Sequence, residues 1–423
     1  MKNIFFAFLF CLFLPLSSFG QQREEIFYPS IHSIQLYNKG DDATYPIIRL
    51  GSSDQLELHF DDFDADFKNL YFSFQLCNAD WTPSNLFTFD YIKGFQSSRI
   101  STYRYSSIAT AQYTHYQAFF PDRNSTPSRS GNYLLKVFEN NDDKQILFTK
   151  RFLVVDNQLD VSAQLRASLS SRYFMQDQRI QVNINAEKAK INVQSPQDFK
   201  VVVMQNNNWT FARTNNRPTI YRGRYFEYSD DNLSIPAGRE WRWLDLRTLR
   251  IKSDRIQSIV DTGQMVDVYL KSDKERVSQL HFPYQDLNGG YFVANDDGNN
   301  PQWQSDYSRV HFSFVPPGNL PIRGKDVYVF GELTNYKIDE SAKMEYNKIT
   351  GVYEKALLLK QGFYNYSYVS SDGTENQNPD LLYADTEGNF NATENVYRIL
   401  VYYRPFGARS DELIGFSELN TLP

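Results

Sequence analysis

An alternation of apolar and polar residues with a period of two recurs along the chain, and it restricts the fold more than any other feature. Because successive side chains of a strand point to opposite faces, this pattern indicates half-buried antiparallel strands. Turn-forming pairs such as Asn288-Gly289 and Asp372-Gly373 separate the strands. The sequence therefore predicts an all-β protein. The clearest segments are NLYFSFQL (69–76), QVNIN (181–185), RVHFSFV (309–315), KDVYVFG (325–331), YNYSYV (364–369) and NVYRILVYY (395–403).

The length of the chain and its aromatic content refine this prediction. A chain of 423 residues is too long for a single core. Its 33 Phe and 29 Tyr suit pleated, half-buried surfaces. We therefore expect tandem immunoglobulin-like β-sandwich domains. The predicted ranges are 24–156 for an N-terminal β-sandwich, 157–294 for a middle β-rich region, 300–405 for a C-terminal sandwich and 406–423 for a tail.

Residues 1–20 have the layout of a cleaved signal peptide. Lys2 supplies the positive charge, residues 4–16 form an apolar run, and the small residues Ser18 and Gly20 precede the expected cut. The run is too short to cross a membrane as a helix. We therefore expect an exported chain that begins at residue 21 and does not span the membrane.

Charge and cysteine content argue against partners that are strongly anionic or disulfide-linked. The net charge is -6, and it becomes -7 when Lys2 is removed with the signal peptide. This acidity disfavours nucleic acid, which selects clustered Lys and Arg. It also disfavours an anionic membrane surface. Cys11 lies in the predicted signal peptide, so Cys77 is left without a cysteine partner in the mature chain. We expect neither a disulfide nor a disulfide-linked partner.

The segment CNADWTPS (77–84) poses the question of catalysis, because it sets a thiol beside a carboxylate. A catalytic thiol needs a base such as histidine and an orienting third group. None of the five histidines belongs to a cysteine-protease motif. The preferred interpretation is structural: Cys77 ends a strand as a small buried residue, Asp80 caps a turn and Trp81 packs against the core.

Other reactive chemistry finds little support in the sequence. Asp62, Asp64 and Asp66 have the spacing of a calcium loop, but Phe67 and Ser73 replace its glycine and its bidentate glutamate. An acidic solvated turn is the better interpretation. Phosphate-binding and dinucleotide-binding glycine motifs do not occur. We expect no catalytic, metal or cofactor site, and a hydrolase with an unrecognised site remains the enzymatic alternative.

The segment from residue 327 to residue 391 resembles the early-set immunoglobulin-like sandwich of glycogen-binding modules. The matching pieces are GELTNY, GVYE, GFYNY, DG, NP and GNFN, in this order. The resemblance implies that the last domain is a sandwich of early-set type. It implies that Gly331, Tyr336, Gly362 and Tyr366 are structural residues of this domain.

The same resemblance implies less about sugar binding. In that family, an aromatic residue stacks on the sugar. In this chain, Tyr336 could take that role, and Asn391 could form a hydrogen bond to the sugar. The family's lysine and second tryptophan are replaced here by Ser367 and Glu375. An adapted scaffold is therefore the preferred interpretation, and an exported α-glucan-binding protein is the alternative function.

A second resemblance covers nearly the whole mature chain. The segments YFSFQLCNADWTPSNLFTFDYIKGF, SGNYLLKVF, KRFLVVD, AGREWRWLDL and YQDLNGGYFVANDDG resemble, in order, the plug proteins of the Bacteroidota type IX secretion system. The most specific match is Cys77 to Ser84, where Leu76 stands in place of a frequent histidine. The resemblance implies a non-enzymatic periplasmic protein at the outer membrane. It would bind the periplasmic mouth of the large β-barrel translocon and seal it when cargo is absent.

Contact residues for this barrel are predicted in the segment MQNNNWTFARTNNRP (204–218). Trp209 and Arg213 lie near its middle, and both residue types are frequent interface anchors. The competing interpretation is a solvated hairpin with Trp209 packed against its own sheet.

Overall fold

The computed structural model describes residues 21–193, 195–373 and 378–422. The predicted signal peptide and Glu375 lie outside this range. Nearly all regular structure in the described residues is β, as the sequence predicts. The two α-helices in these residues have four residues each, Thr88–Tyr91 (α1) and Pro301–Gln304 (α2). Short 3₁₀ turns cover Pro196–Asp198, Asp231–Leu233, Pro317–Asn319, Glu332–Thr334 and Pro379–Leu381.

The first sandwich contains eleven strands. The order in one sheet is β1-β3-β8-β7, and in the facing sheet it is β2-β11-β10-β4-β6, with β5 and β9 as a separate pair. The aromatic and aliphatic residues between the two sheets form one core. The strands are β1 Ile31–Asn38, β2 Ile47–Arg49, β3 Leu56–Asp62, β4 Leu70–Cys77, β5 Ile92–Gly94, β6 Ser97–Arg99, β7 Thr102–Tyr105, β8 Thr114–Phe120, β9 Ser125–Pro127, β10 Gly131–Glu139 and β11 Ile146–Val155.

The remaining described strands build two further sandwiches. They are β12 Asp160–Ala167, β13 Asp177–Asn185, β14 Phe199–Gln205, β15 Asn208–Asn215, β16 Ile220–Arg222, β17 Tyr225–Tyr228, β18 Ser234–Pro236, β19 Arg242–Asp245, β20 Ile256–Asp261, β21 Val266–Leu270, β22 Asp273–Lys274, β23 Tyr291–Val293, β24 Tyr307–Val315, β25 Asp326–Phe330, β26 Glu345–Asn347, β27 Val352–Lys360, β28 Gly362–Ser371, β29 Val396–Tyr403 and β30 Glu412–Asn420.

Each of these two sandwiches also consists of two facing sheets around its own core. In the second, the sheet β12-β13-β17-β16, with β18 beside β13, faces the sheet β15-β14-β29-β30. In the third, the sheet β20-β21-β24-β27-β26, with β22 beside β24, faces strands β19, β23 and β25, which all pair with β28. The tandem β-sandwich prediction is confirmed, while the immunoglobulin-like and early-set assignments stay predictions.

The strand pairing joins distant parts of the chain. Strand β14 pairs with β29 from Phe199 with Tyr403 to Gln205 with Tyr397, and β19 pairs with β28. Strand β30 lies in the predicted tail and completes the second sandwich. The predicted middle and C-terminal ranges thus share three sheets, and the domain boundaries stay predictions.

The period-two segments form strands as predicted, but one sheet is buried on both faces. In β4, the alternating residues from Leu70 to Leu76 are at most 4% exposed. In β14, Val201 and Val203 belong to the core of the second sandwich, whereas Val202 and Met204 pack against the first sandwich. This explains the continuous apolar run of β14, because both of its faces are covered.

A buried ion pair joins the first sandwich to the third. Asp61 of β3 is paired with Lys360 at the end of β27, and neither side chain is more than 1% exposed. The Tyr307 hydroxyl donates to the same carboxylate. The Lys360 ammonium also lies 4.4 Å from the centre of the Tyr113 ring. Removing one partner of such a pair costs about 3–5 kcal/mol, because the other charge stays buried.

Two histidines extend this pair into a chain of buried polar groups on strands β3 and β8, on the face of the sheet opposite to the core. His115 Nδ1 lies 2.7 Å from Asp61 Oδ1, His59 Nδ1 lies 2.9 Å from His115 Nε2, and Glu57 Oε1 lies 2.8 Å from His59 Nε2. Burial and, to a smaller extent, the neighbouring His115 together lower the pKa of His59 to about 4. Burial also lowers the pKa of His115, against the effect of Asp61.

We predict that the protein loses stability as the pH falls from about 6.5 to about 4. The unfolded chain binds a proton at each of these histidines at about pH 6.5. The folded chain binds one at His59 only near pH 4, and the pKa of His115 is lowered in the same direction. The stability is therefore complete above the unfolded pKa and is lost as the pH falls. For His59 the loss is on the order of 3 kcal/mol. Urea unfolding at a series of pH values measures it. His59→Gln should flatten the curve, and an unchanged slope in this variant would contradict the assignment.

Candidate functional site

The segment Cys77 to Ser84 forms a tight corner after β4. Trp81 has a φ of 65°, and its backbone N–H donates to the Asn78 carbonyl at 2.9 Å. Asp80 Oδ1 accepts hydrogen bonds from the backbone N–H of Thr82 at 3.0 Å and from its hydroxyl at 2.6 Å. The predicted capping role of Asp80 is confirmed, and the corner is fixed by its own hydrogen bonds.

The environment of Cys77 favours packing over chemistry. Its side chain is fully buried, and burial raises the pKa of the thiol to about 12. A thiol with this pKa is protonated at neutral pH and is a poor nucleophile. Trp81 is 1% exposed and belongs to the same buried cluster.

This corner docks the first sandwich onto the second. Asp411, which precedes β30, accepts a hydrogen bond from the backbone N–H of Ala79 at 2.9 Å through Oδ2. The same carboxylate lies 3.2 Å from Lys200 Nζ. Asn78 Oδ1 accepts a hydrogen bond from the Asp411 backbone N–H at 3.3 Å. One buried carboxylate thus holds the corner against the neighbouring sheet.

Trp209 lies in the same interface. Its ring meets that of Trp81 edge to face at 5.0 Å, and its Nε1–H donates to the Tyr45 hydroxyl at 2.9 Å. The Arg151 guanidinium lies 4.3 Å from the Trp81 ring centre and 5.7 Å from that of Trp209. The contacts of Trp209 are therefore with the first sandwich, across the interface.

Arg213 forms an ion pair with Asp380, and its side chain is 21% exposed. The two predicted partner residues thus make contacts inside the protein. A role of Trp209 and Arg213 in partner binding stays a prediction.

The four positions singled out in the third sandwich have structural roles. A Cβ at Gly362 would lie 2.3 Å from the Phe292 carbonyl oxygen, so this glycine allows β23 and β28 to approach. Gly331 has a φ of 151°, and a Cβ there would lie 3.0 Å from the Asn365 carbonyl oxygen. Tyr366 is fully buried and donates to Asp273 at 2.7 Å.

Tyr336 and Asn391, the residues that the sugar-binding resemblance would use, are engaged within the fold. The Tyr336 ring packs edge to face on Phe330 at 5.5 Å, and its hydroxyl donates to the Asn206 carbonyl at 3.3 Å. Asn391 donates to the Phe174 carbonyl at 3.0 Å. No contact among the described residues favours the sugar-binding alternative.

A cleft of about 1240 Å³ opens where the three sandwiches meet. Its lining includes Glu24, Lys150 and Glu332. Glu24 lies 2.9 Å from Lys150 Nζ. Burial would lower the pKa of Lys150, but Glu24 and Glu332 raise it above its usual value. Burial raises the pKa of Glu332. Sequence reasoning missed this cleft, because its walls come from segments far apart in the chain.

Comparison with known proteins identifies the family. The sequence model of the type 9 secretion system plug protein first domain matches residues 31–156, which span strands β1 to β11. The chain also aligns with the crystal structure of a hypothetical protein from Parabacteroides merdae with a TM-score of 0.88 and 32% identity, over 95% of this chain and 100% of that one. The chain belongs to the type IX secretion system plug family. No curated protein matches the chain.

Membership in the plug family implies a periplasmic protein associated with this secretion system. In the described part of the plug-family chain, no helix is long and apolar enough to cross a membrane. No group of three or more His, Cys, Asp or Glu in residues 21–193, 195–373 and 378–422 is placed to hold a metal ion. Asp62, which was expected in a solvated turn, is instead buried and lies 2.6 Å from Lys68 Nζ.

We predict that Asp411→Ala loosens the docking of the first plug-family domain. The substitution leaves the backbone N–H of Ala79 without its acceptor and Lys200 without its ion pair. It should lower the free energy of unfolding by about 1–3 kcal/mol, as measured by urea denaturation. The matched control is Glu412→Ala, which removes the exposed pair with Arg129 and should cost less than about 1 kcal/mol. Equal effects of the two substitutions would contradict the docking role of Asp411.

Proposed function

We propose that this protein is a periplasmic plug that binds the periplasmic mouth of the type IX outer-membrane barrel and seals it when no cargo is present. The family match of the first sandwich supports a plug role in this system. The proposed action is steric. A protein that blocks an opening has to fill it without deforming, so the relevant property is rigidity.

The joints between the sandwiches support this proposal most directly. Asp411 ties the first sandwich to the second, and the pair of Asp61 with Lys360 ties the first to the third. The second and third are joined by strand pairing between distant parts of the chain, as β14 with β29 shows. Domains move relative to each other when their interfaces are small and polar. Here each joint contains buried contacts, so the three sandwiches act as one block.

A steric role also agrees with the chemistry of the one cysteine in the described residues. The thiol of Cys77 is buried and has a raised pKa, and its motif serves the docking corner. We therefore propose a non-enzymatic protein. In this role the protein needs neither a cofactor nor a metal.

The test combines a pull-down with a permeability assay in a bacterium that uses this secretion system. An affinity-tagged copy, purified from detergent-solubilised membranes, should bring down one large outer-membrane barrel protein. Deleting the gene should make the outer membrane permeable to vancomycin, which an intact outer membrane excludes, and the wild-type copy should restore the barrier. An unrelated exported β-sandwich with the same tag controls for carry-over. Absence of the barrel from the pull-down, or an intact barrier in the deletion strain, would overturn the proposal.

The prediction for Trp209 and Arg213 is tested in the same assay. Trp209→Ala with Arg213→Ala should weaken co-purification with the barrel without unfolding the protein. Because both side chains make contacts inside the protein, thermal unfolding is measured beside the pull-down. Trp209→Phe with Arg213→Lys is the matched control, since it keeps an aromatic ring and a charge. Unchanged co-purification by the alanine variant would remove these residues from the barrel interface.

A further inference from the structure

Four phenylalanines are exposed on neighbouring loops of the first and second sandwiches, and we call this surface the Phe face. Phe87 is 65% exposed, Phe89 69%, Phe95 69% and Phe406 105%. Such side chains are normally buried, and exposed apolar groups that cluster mark an interaction surface. None of the four belongs to a core cluster of the protein.

Hydrogen bonds between three loops bring these residues together. The Arg409 guanidinium, in the loop of Phe406, donates to the Asn85 carbonyl beside Phe87. The backbone N–H of Phe95 donates to the Asn124 carbonyl at 2.6 Å. Ser128 donates to the Tyr91 carbonyl at 2.8 Å. The loop 84–95 therefore contacts both the loop 122–129 and the loop 404–411.

The Phe face is held in place before any partner arrives. The backbone N–H of Phe87 donates to Asp90 Oδ2 at 3.1 Å, and the rings of Phe87 and Phe89 stack at 5.5 Å. Gly94 has a φ of 94°, and a Cβ there would lie 2.1 Å from the Asn124 carbonyl oxygen. A surface that is ordered in advance loses less entropy on binding.

The mature chain as a whole is acidic, but the charges around the Phe face differ from this average and favour an anionic partner. The acids on this side are already engaged: Asp90 lies 4.0 Å from Arg409, Glu412 lies 3.2 Å from Arg129, and Asp122 accepts from two backbone N–H groups of its own turn. Two cations, Lys93 and Arg123, are exposed on the same loops. Within the described residues, neither side chain has an ion pair.

We propose that the Phe face inserts into an anionic phospholipid surface. Phenylalanine has no polar group, so its ring can enter the hydrocarbon region without leaving a donor unpaired. Exposed apolar side chains beside Lys and Arg are the composition of surfaces that lie in a membrane interface. Anchors of protein interfaces are instead enriched in Trp, Tyr and Arg. This inference goes beyond the proposed plug function and does not require the barrel.

The experiment uses the purified mature protein and vesicles. Wild-type protein should co-sediment with vesicles of phosphatidylethanolamine and phosphatidylglycerol, and less with vesicles of phosphatidylcholine alone. The variant with Phe87→Ser, Phe89→Ser, Phe95→Ser and Phe406→Ser should bind the anionic vesicles about tenfold more weakly, which corresponds to about 1.4 kcal/mol. Lys93→Glu with Arg123→Glu should also weaken binding and reduce its dependence on salt.

The matched control replaces four apolar residues that are equally exposed elsewhere, Leu169, Met175, Leu280 and Phe282, which are 68%, 66%, 79% and 70% exposed. Serine at these positions should leave vesicle binding unchanged. Thermal unfolding confirms that each variant is folded.

Two results would overturn the proposal: wild-type protein that does not bind the vesicles, or a phenylalanine variant that binds them as well as wild type. If the phenylalanine variants instead lose only the barrel in the pull-down, the Phe face binds protein and the lipid proposal is rejected. Because the vesicle assay contains no barrel, its failure leaves the plug proposal standing.

Discussion

The arrangement of the three sandwiches depends on charged groups that are buried where the sandwiches meet. Asp61 and Lys360 have no access to solvent, and Asp411 is 1% exposed. Burying a charge is costly unless it is paired and hydrogen-bonded. Asp61 and Lys360 pair across the joint of the first and third sandwiches, so these two cannot separate without leaving a charge unpaired. Asp411 pairs with Lys200 within the second sandwich and accepts a hydrogen bond from the Ala79 backbone N–H of the first, so separation there breaks this hydrogen bond. Apolar packing supplies cohesion, and the buried charges select one relative orientation.

The corner at Cys77 to Ser84 illustrates how a motif can look reactive and be structural. A thiol, a carboxylate and an indole ring follow each other closely, as they would in a nucleophilic site. In the folded protein the carboxylate of Asp80 caps the turn, the thiol of Cys77 is buried, and Trp81 packs against Trp209. The residue types are required because the corner presents its backbone to Asp411 of the second sandwich. The side chain of Leu76 lies in the core of the first sandwich.

The surface proposed for membrane insertion lies outside these joints. A block whose internal joints are buried presents a fixed outer surface, and a plug needs this property. The Phe face lies on loops of the first and second sandwiches that are joined by hydrogen bonds. Insertion of this face into a leaflet would orient the protein relative to the membrane. The protein would then approach the barrel in a defined orientation. The cleft between the sandwiches lies elsewhere on the molecule and contains the pair of Glu24 with Lys150.

The sequence alone determined the elements that depend on local pattern. Period-two alternation predicted strands such as β4 and β24, because side-chain direction in a strand follows from position alone. The corner was also predicted from local residues, since Asp80 caps its own turn.

The tertiary structure decided everything that depends on distant partners. Examples are the pairing of β14 with β29, the burial of both faces of that sheet, and the pairing of Asp61 with Lys360. An isolated aspartate or lysine carries no signal in a sequence for the charge that it meets after folding. The same holds for Trp209, whose partners Tyr45 and Trp81 are brought to it only when the sandwiches dock.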